Sequence, residues 1–356
     1  MSRIFLSASL VILGLAPAAA AAQSSSDPTP SEERESPFLV VPTLTQNPKL
    51  GFSLGAIGAY LHYFDDKSRA SLFGVSAQYS STASKVAAAF GRASFGEDCH
   101  RAILLFAGGE IRNDYNDFLG TGVEVKSSDE LRAAVGRYLY RAVDDWFVGV
   151  QGISTNYHIV GESAFDDQVL DVLGLQGFRS AGVGAAIYHD SRDSEDSPTD
   201  GWLLNANNIA YRDAFGGEEN FDVYRLDNRL YVAHGEGHVL AFRQYNQWTV
   251  DAPSSAFAPV QLRGYKLGQY LGENMSSFEI EERYRLSERW TATIFAGVAF
   301  LYGNGQSLYG SDTSFPNAGA GVQYVLKRRE GIVVNLEYAV GKDDNYGFYI
   351  KLGYGF

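Results

Sequence analysis

Cysteine, methionine and proline are scarce in this chain, at 1, 2 and 10 of 356 residues. A lone Cys99 cannot form an internal disulfide, and the six histidines, His62, His158 and His189 among them, are too scattered for a ligand set, so neither a disulfide framework nor a metal site is expected. After residue 22 no apolar run reaches the ~18 residues a membrane-spanning helix needs, which excludes a helical membrane protein. Cationic charge is also short: 29 Lys and Arg face 42 Asp and Glu, a net charge of −13. Nucleic acid is therefore not an expected partner, because its phosphates require a basic face.

What the chain has instead is 38 Gly, 22 Tyr and 22 Phe, the balance of many strands, tight turns and aromatic girdles. A mean hydropathy of −0.16 fits a transmembrane β-barrel, whose lipid-facing and lumen-facing residues alternate and average to neutral. From Phe38 onward, segments of period-two alternation separated by turn signals predict about sixteen strands. Their spans are 37–45, 50–63, 69–80, 83–95, 101–112, 129–141, 145–158, 180–190, 200–212, 221–233, 237–250, 275–286, 290–302, 315–327, 331–341 and 346–356. Connections after even-numbered strands are mostly short, as at Asp65–Ser68, Gly235–Gly237, Ser287–Arg289 and Arg328–Glu330. Those after odd-numbered strands include 113–128, 159–179, 251–274 and 303–314. That asymmetry predicts an all-β, closed antiparallel barrel in the outer membrane of a Gram-negative bacterium, with short turns in the periplasm and long loops outside.

Residues 1–22 carry Arg3, an apolar stretch from Ile4 to Leu15 and Ala-x-Ala sites near Ala20 and Ala22, and read as a secretory signal peptide. Residues 23–36, QSSSDPTPSEERES, hold no large apolar side chain and are expected to form a disordered periplasmic leader. The barrel then occupies 37–356. Its last strand places Phe348, Ile350, Leu352, Tyr354 and Phe356 on one face, and this stripe resembles the C-terminal signal, ending at Tyr354 and Phe356, by which outer-membrane barrels are recognised for insertion.

The stretch that organises the chain is Gln261–Leu286, where a glycine-rich loop bearing Arg263-Gly264-Tyr265 runs into an alternating strand. Phe278, Ile280 and Tyr284 share one face of that strand, and Glu279, Glu281 and Arg283 the other. A charge on the lipid face would cost about 2–4 kcal/mol near the midplane, so the carboxylates are assigned inward. A guanidinium in a glycine-walled loop beside inward carboxylates predicts a loop lock of Arg263 and Glu281, with Glu279 as a secondary partner. A second motif, Asp190-Ser191-Arg192-Asp193 followed by Pro198 and Gly201, is a charged turn whose residues are natural turn formers.

The RGY triplet with its glycines and following E-x-R, preceded by the D-x-R-D turn with P-x-x-G, resembles the BamA/TamA superfamily of outer-membrane assembly barrels, the bacterial surface-antigen family, over residues 37–356. The resemblance implies an outer-membrane barrel that assists insertion or translocation of protein or lipid through a weak seam between first and last strands. It implies outer-membrane lipids including lipopolysaccharide, the barrel-assembly machinery during biogenesis and an unknown client as partners. The alternative is a passive pore or structural barrel. Two departures stand out. The chain ahead of the barrel is too short for the periplasmic POTRA domains of the superfamily, and where a second acidic lock residue opens a D-x-G, this chain has Phe295-Ala296-Gly297. Gly51-Phe52-Ser53-Leu54-Gly55 matches a hydrolase nucleophile elbow, but no helix pattern follows it and no Asp and His partners carry a signature, so no catalytic residue and no cofactor are expected.

Overall fold

The structure is a computed structural model that describes residues 37–47, 51–115, 125–161, 178–194, 198–303, 313–327 and 332–352. The signal peptide, the leader, Tyr354 and Phe356 lie outside the described residues. Sixteen antiparallel strands form one sheet in sequence order. They are β1 (Phe38–Asn47), β2 (Gly51–His62), β3 (Ser71–Ser80), β4 (Lys85–Phe95), β5 (His100–Tyr115), β6 (Val125–Val143), β7 (Trp146–Gly161), β8 (Arg179–Asp190), β9 (Gly201–Tyr211), β10 (Phe221–His234), β11 (His238–Val250), β14 (Asn274–Arg285), β15 (Trp290–Tyr302), β16 (Ser314–Lys327), β17 (Ile332–Gly341) and β18 (Tyr346–Leu352). The short β12 (Ala258–Pro259) and β13 (Leu271–Gly272) pair with each other inside the connection between β11 and β14.

The burial pattern inverts that of a soluble protein. Along β14, Glu279, Glu281 and Arg283 are buried, whereas Phe278, Ile280 and Tyr284 are exposed. The same alternation exposes Phe73, Val75 and Tyr79 on β3 and Leu336, Tyr338 and Val340 on β17, and buries Asn335 and Glu337. An apolar exterior around a polar interior suits strands whose outer solvent is hydrocarbon. At the end of the sheet holding the turns after even-numbered strands, rings form a girdle: Phe38–Tyr60–His62–Phe64–Phe95–His100 run in successive contact, and Trp290–Tyr324 continue it.

Two expectations are corrected. β5 and β6 extend further than the alternation suggested, because the polar residues Asn113 and Asp114 still pair with Ser127 and Lys126; hairpin pairing continues where the apolar signal has stopped. Nor, among the described residues, is the sheet closed by a ladder. β1 pairs with β2 alone and β18 with β17 alone, although β1 and β18 approach within 8 Å between Cα atoms. Pro42, near the middle of β1, has no N–H to donate to such a ladder.

Candidate functional site

The connection 251–273 folds against the buried face of the sheet. Its two arms are joined by the β12–β13 ladder and by the Val260 N–H donating to the Tyr270 carbonyl at 3.1 Å. Val260, Leu262, Tyr265 and Tyr270 then pack with Tyr245, Met275, Leu301 and Phe315 of the wall. Arg263 stands at the tip of this hairpin. Gly264 follows it with φ +98°, and a Cβ there would meet the Val340 carbonyl carbon at 3.2 Å, so the backbone direction and the close approach both require glycine.

Arg263, 9% exposed, is clamped across three strands. Its Nη1 donates to Oε2 of Glu281 at 2.7 Å, its Nη2 to Oε1 of Glu279 at 2.8 Å, and Nη1 lies 3.3 Å from Oε1 of Glu337 on β17. The guanidinium carbon sits 3.4 Å from the centroid of Phe295, a stacked arrangement with the ring that Arg, unlike Lys, can adopt as a plane. Asn317 Nδ2 donates to the Arg263 carbonyl at 3.0 Å and to Glu279 at 3.2 Å. Burial works against the Arg263 charge, yet the carboxylates of Glu279, Glu281 and Glu337 outweigh it and hold the guanidinium above its ordinary pKa.

The structure thus brings Arg263 together with Glu281 and Glu279, and adds two residues that the sequence reading did not assign. Phe295 occupies the position where the resembled motif has an acid, and pairs in register with Glu281. Glu337, 2% exposed, supplies the third carboxylate. Its only sequence signal was an acidic residue at an inward position, between the outward Leu336 and Tyr338.

The loop also grips the last hairpin. The Gly264 N–H donates to Tyr349 Oη at 2.8 Å, Tyr265 Oη donates to the Pro316 carbonyl at 2.5 Å and accepts from the Lys342 N–H at 2.9 Å, and Asn345 Nδ2 donates to Tyr270 Oη at 3.2 Å. A Cβ on Gly341 would meet the Tyr265 ring at 2.5 Å. Burial raises the Tyr265 phenol above its ordinary pKa, so the hydroxyl stays protonated and able to donate.

The second motif lies in the connection between β8 and β9. Arg192 donates from Nε and Nη2 to Asp190 at 2.7 and 3.2 Å, and Arg69 reaches the same carboxylate at 3.2 Å. Asp193 accepts from the Thr199 N–H at 2.9 Å, and Gly201 turns with φ +109° where a Cβ would meet the Ser191 carbonyl at 2.5 Å. The two motifs are linked. Arg283 donates from Nε to Oε1 of Glu281 at 2.8 Å and from Nη1 to the Pro198 carbonyl at 3.0 Å. Ser53 of the elbow-like pentapeptide is buried within strand β2, without the strand-to-helix turn such a nucleophile needs. Among the described residues no cluster of His, Cys, Asp and Glu could hold a metal ion.

No protein-family model and no curated protein matches the chain. Solved structures do. The crystal structure of BamA from Haemophilus ducreyi lacking POTRA domains 1–3 superposes with a TM-score of 0.60 at 12% identity, over 90% of this chain and 70% of that one. The chain has the BamA barrel fold. CdiB from Escherichia coli gives a TM-score of 0.62 at 13% identity over 92% of this chain, and CdiB from Acinetobacter baumannii 0.58 at 10% over 89%. The chain spans 64% and 59% of those two proteins, less than two thirds of either.

Proposed function

We propose that this protein is a barrel of the BamA/TamA superfamily in the outer membrane of a Gram-negative bacterium, and that it assists insertion or translocation of protein or lipid at the seam between β1 and β18. The observation that carries the reading is the placement of the Arg263 loop. It ties down the hairpin of β17 and β18, whose outer edge is one side of the only missing ladder among the described strands. A strand edge with unpaired N–H and C=O groups is a template for another strand, and a loop that fixes it from inside sets how readily that edge moves. Outer-membrane lipids including lipopolysaccharide surround the barrel, the cell's barrel-assembly machinery inserts it, and the client is a polypeptide or a lipid. No catalytic step is part of this proposal.

The test is a disulfide staple across β1 and β18 in a Cys99→Ser background. A deletion strain should show altered outer-membrane protein or lipid composition, the unstapled protein should restore it, and the oxidised staple should abolish that rescue. Full rescue with the seam stapled would contradict the reading and leave a passive or structural barrel.

A further inference from the structure

The inner wall from β6 to β11 carries two guanidinium groups that have no carboxylate partner among the described residues. Arg137 on β6 donates from Nε to Gln151 Oε1 at 2.9 Å and from Nη1 to Asn205 Oδ1 at 3.3 Å. Arg225 on β10 donates from Nε to Gln247 Oε1 at 3.3 Å and hydrogen-bonds the hydroxyls of Tyr211 and Tyr245. Every one of these acceptors is neutral, and neither arginine forms an ion pair with a carboxylate among the described residues.

Register places the two cations on one level of the wall. Arg137 is opposite Gln151, Gln151 is opposite Gly184, and Arg225 is opposite both Asn207 and Gln247. Because Gly184 has no side chain, Gln151 Nε2 passes over β8 and donates to Asn207 Oδ1 at 2.9 Å, so an amide belt runs from one guanidinium to the other. The nearest carboxylate along β10, Asp227, is already shared by Arg229 at 2.6 Å and Arg243 at 2.9 Å, and so cannot neutralise Arg225 as well. Both Arg137 and Arg225 keep part of their surface open to the lumen. Gln247, 0% exposed, points its Nε2 donor where no acceptor is found among the described residues.

Half-buried cations without a counter-charge are unfavourable, and an orphaned buried donor adds to that cost. Each guanidinium has five N–H donors, and those not taken by amides and phenols require acceptors that this wall does not offer. A ligand that brings oxygen acceptors and negative charge would satisfy them together. We propose that the crescent of Arg137, Gln151, Asn207, Arg225 and Gln247 binds a phosphate group within the lumen, as inorganic phosphate or as the phosphate of a lipid headgroup.

The experiment uses the full chain folded in a phosphorus-free detergent. Phosphorus is first assayed in the protein as purified and after exhaustive detergent exchange, and inorganic phosphate is then titrated by calorimetry or by broadening of its phosphorus resonance. Retained phosphorus identifies a lipid headgroup, whereas a protein stripped bare that takes up about one phosphate per chain identifies the free ion. In either case R137Q/R225Q should weaken binding by at least about tenfold, the ratio that about 1.4 kcal/mol corresponds to, and R137K/R225K should weaken it less because the charge remains. Folding of each variant is checked by heat-dependent gel mobility, and if the double variant does not fold, R225Q alone should still lose several-fold. No retained phosphorus together with no uptake, or titrations identical in wild type and R137Q/R225Q, would overturn the proposal.

Discussion

The two sides of the lumen use the same cation in opposite settings. On β14 and β17, Glu279, Glu281 and Glu337 meet Arg263 and Arg283, three carboxylates against two guanidiniums, an excess of one negative charge. Midway along β6 to β11, apart from Asp190, which Arg192 and Arg69 hold at the end of β8, Arg137, Arg225, Arg229 and Arg243 stand against Asp227 alone, and Asp227 is taken by two of the four. Arginine on the first wall is the group that offsets burial of its neighbours; on the second it is the group left uncompensated. The same substitution should therefore act differently on the two sides.

The largest effect is expected at the lock. R263A leaves three buried carboxylates with Arg283 alone, and removing one partner of a buried ion pair costs about 3–5 kcal/mol. The urea midpoint of the folded barrel should fall accordingly, with a smaller loss for R263K, which keeps the charge but not the planar fork; an unchanged midpoint would mean that the loop is not held by this residue. Next, D227N should cost about 1.5–3 kcal/mol, because Arg229 and Arg243 would then face each other across a neutral amide. Adding R243Q should recover part of that loss, and no recovery would show that repulsion is not its source. F295L keeps apolar volume beneath Arg263 but removes the ring, and should cost about 1–2 kcal/mol. The smallest change is expected for R225Q in phosphate-free buffer, within about 0.5 kcal/mol of wild type. A loss there as large as that of R263A would erase the contrast between the two walls.

Local chemistry was legible in the sequence, and contacts made across the lumen were not. Period-two alternation located all sixteen strands of the sheet, and the glycine-flanked Arg263 with the inward Glu279 and Glu281 lies within one loop and the strand that follows it. Glu337 escaped because its partner is far away in sequence, and nothing in its own strand says which loop it meets. Phe295 was read as a missing acid; a guanidinium can rest on a ring face as well as on a carboxylate, so the departure from the motif changed the partner and kept the contact. The same limit hid the link from Arg283 to Pro198, and the crescent, where Arg137 and Arg225 belong to strands four positions apart in the sheet. The end of β5 was missed for a different reason: polar residues pair in a hairpin without leaving an apolar signal.

Coupling between Arg263 and Glu281 is the most direct test of the lock. The stabilities of wild type, R263A, E281Q and the double variant, measured by urea unfolding in the same lipid, form a double-mutant cycle. The expected result is a coupling of about 1 kcal/mol or more, with the double variant losing less than the two single losses combined, because each single change already breaks the 2.7 Å contact. Losses that simply add would mean that Arg263 and Glu281 do not hold one another, and that the loop rests on the wall without being locked to it.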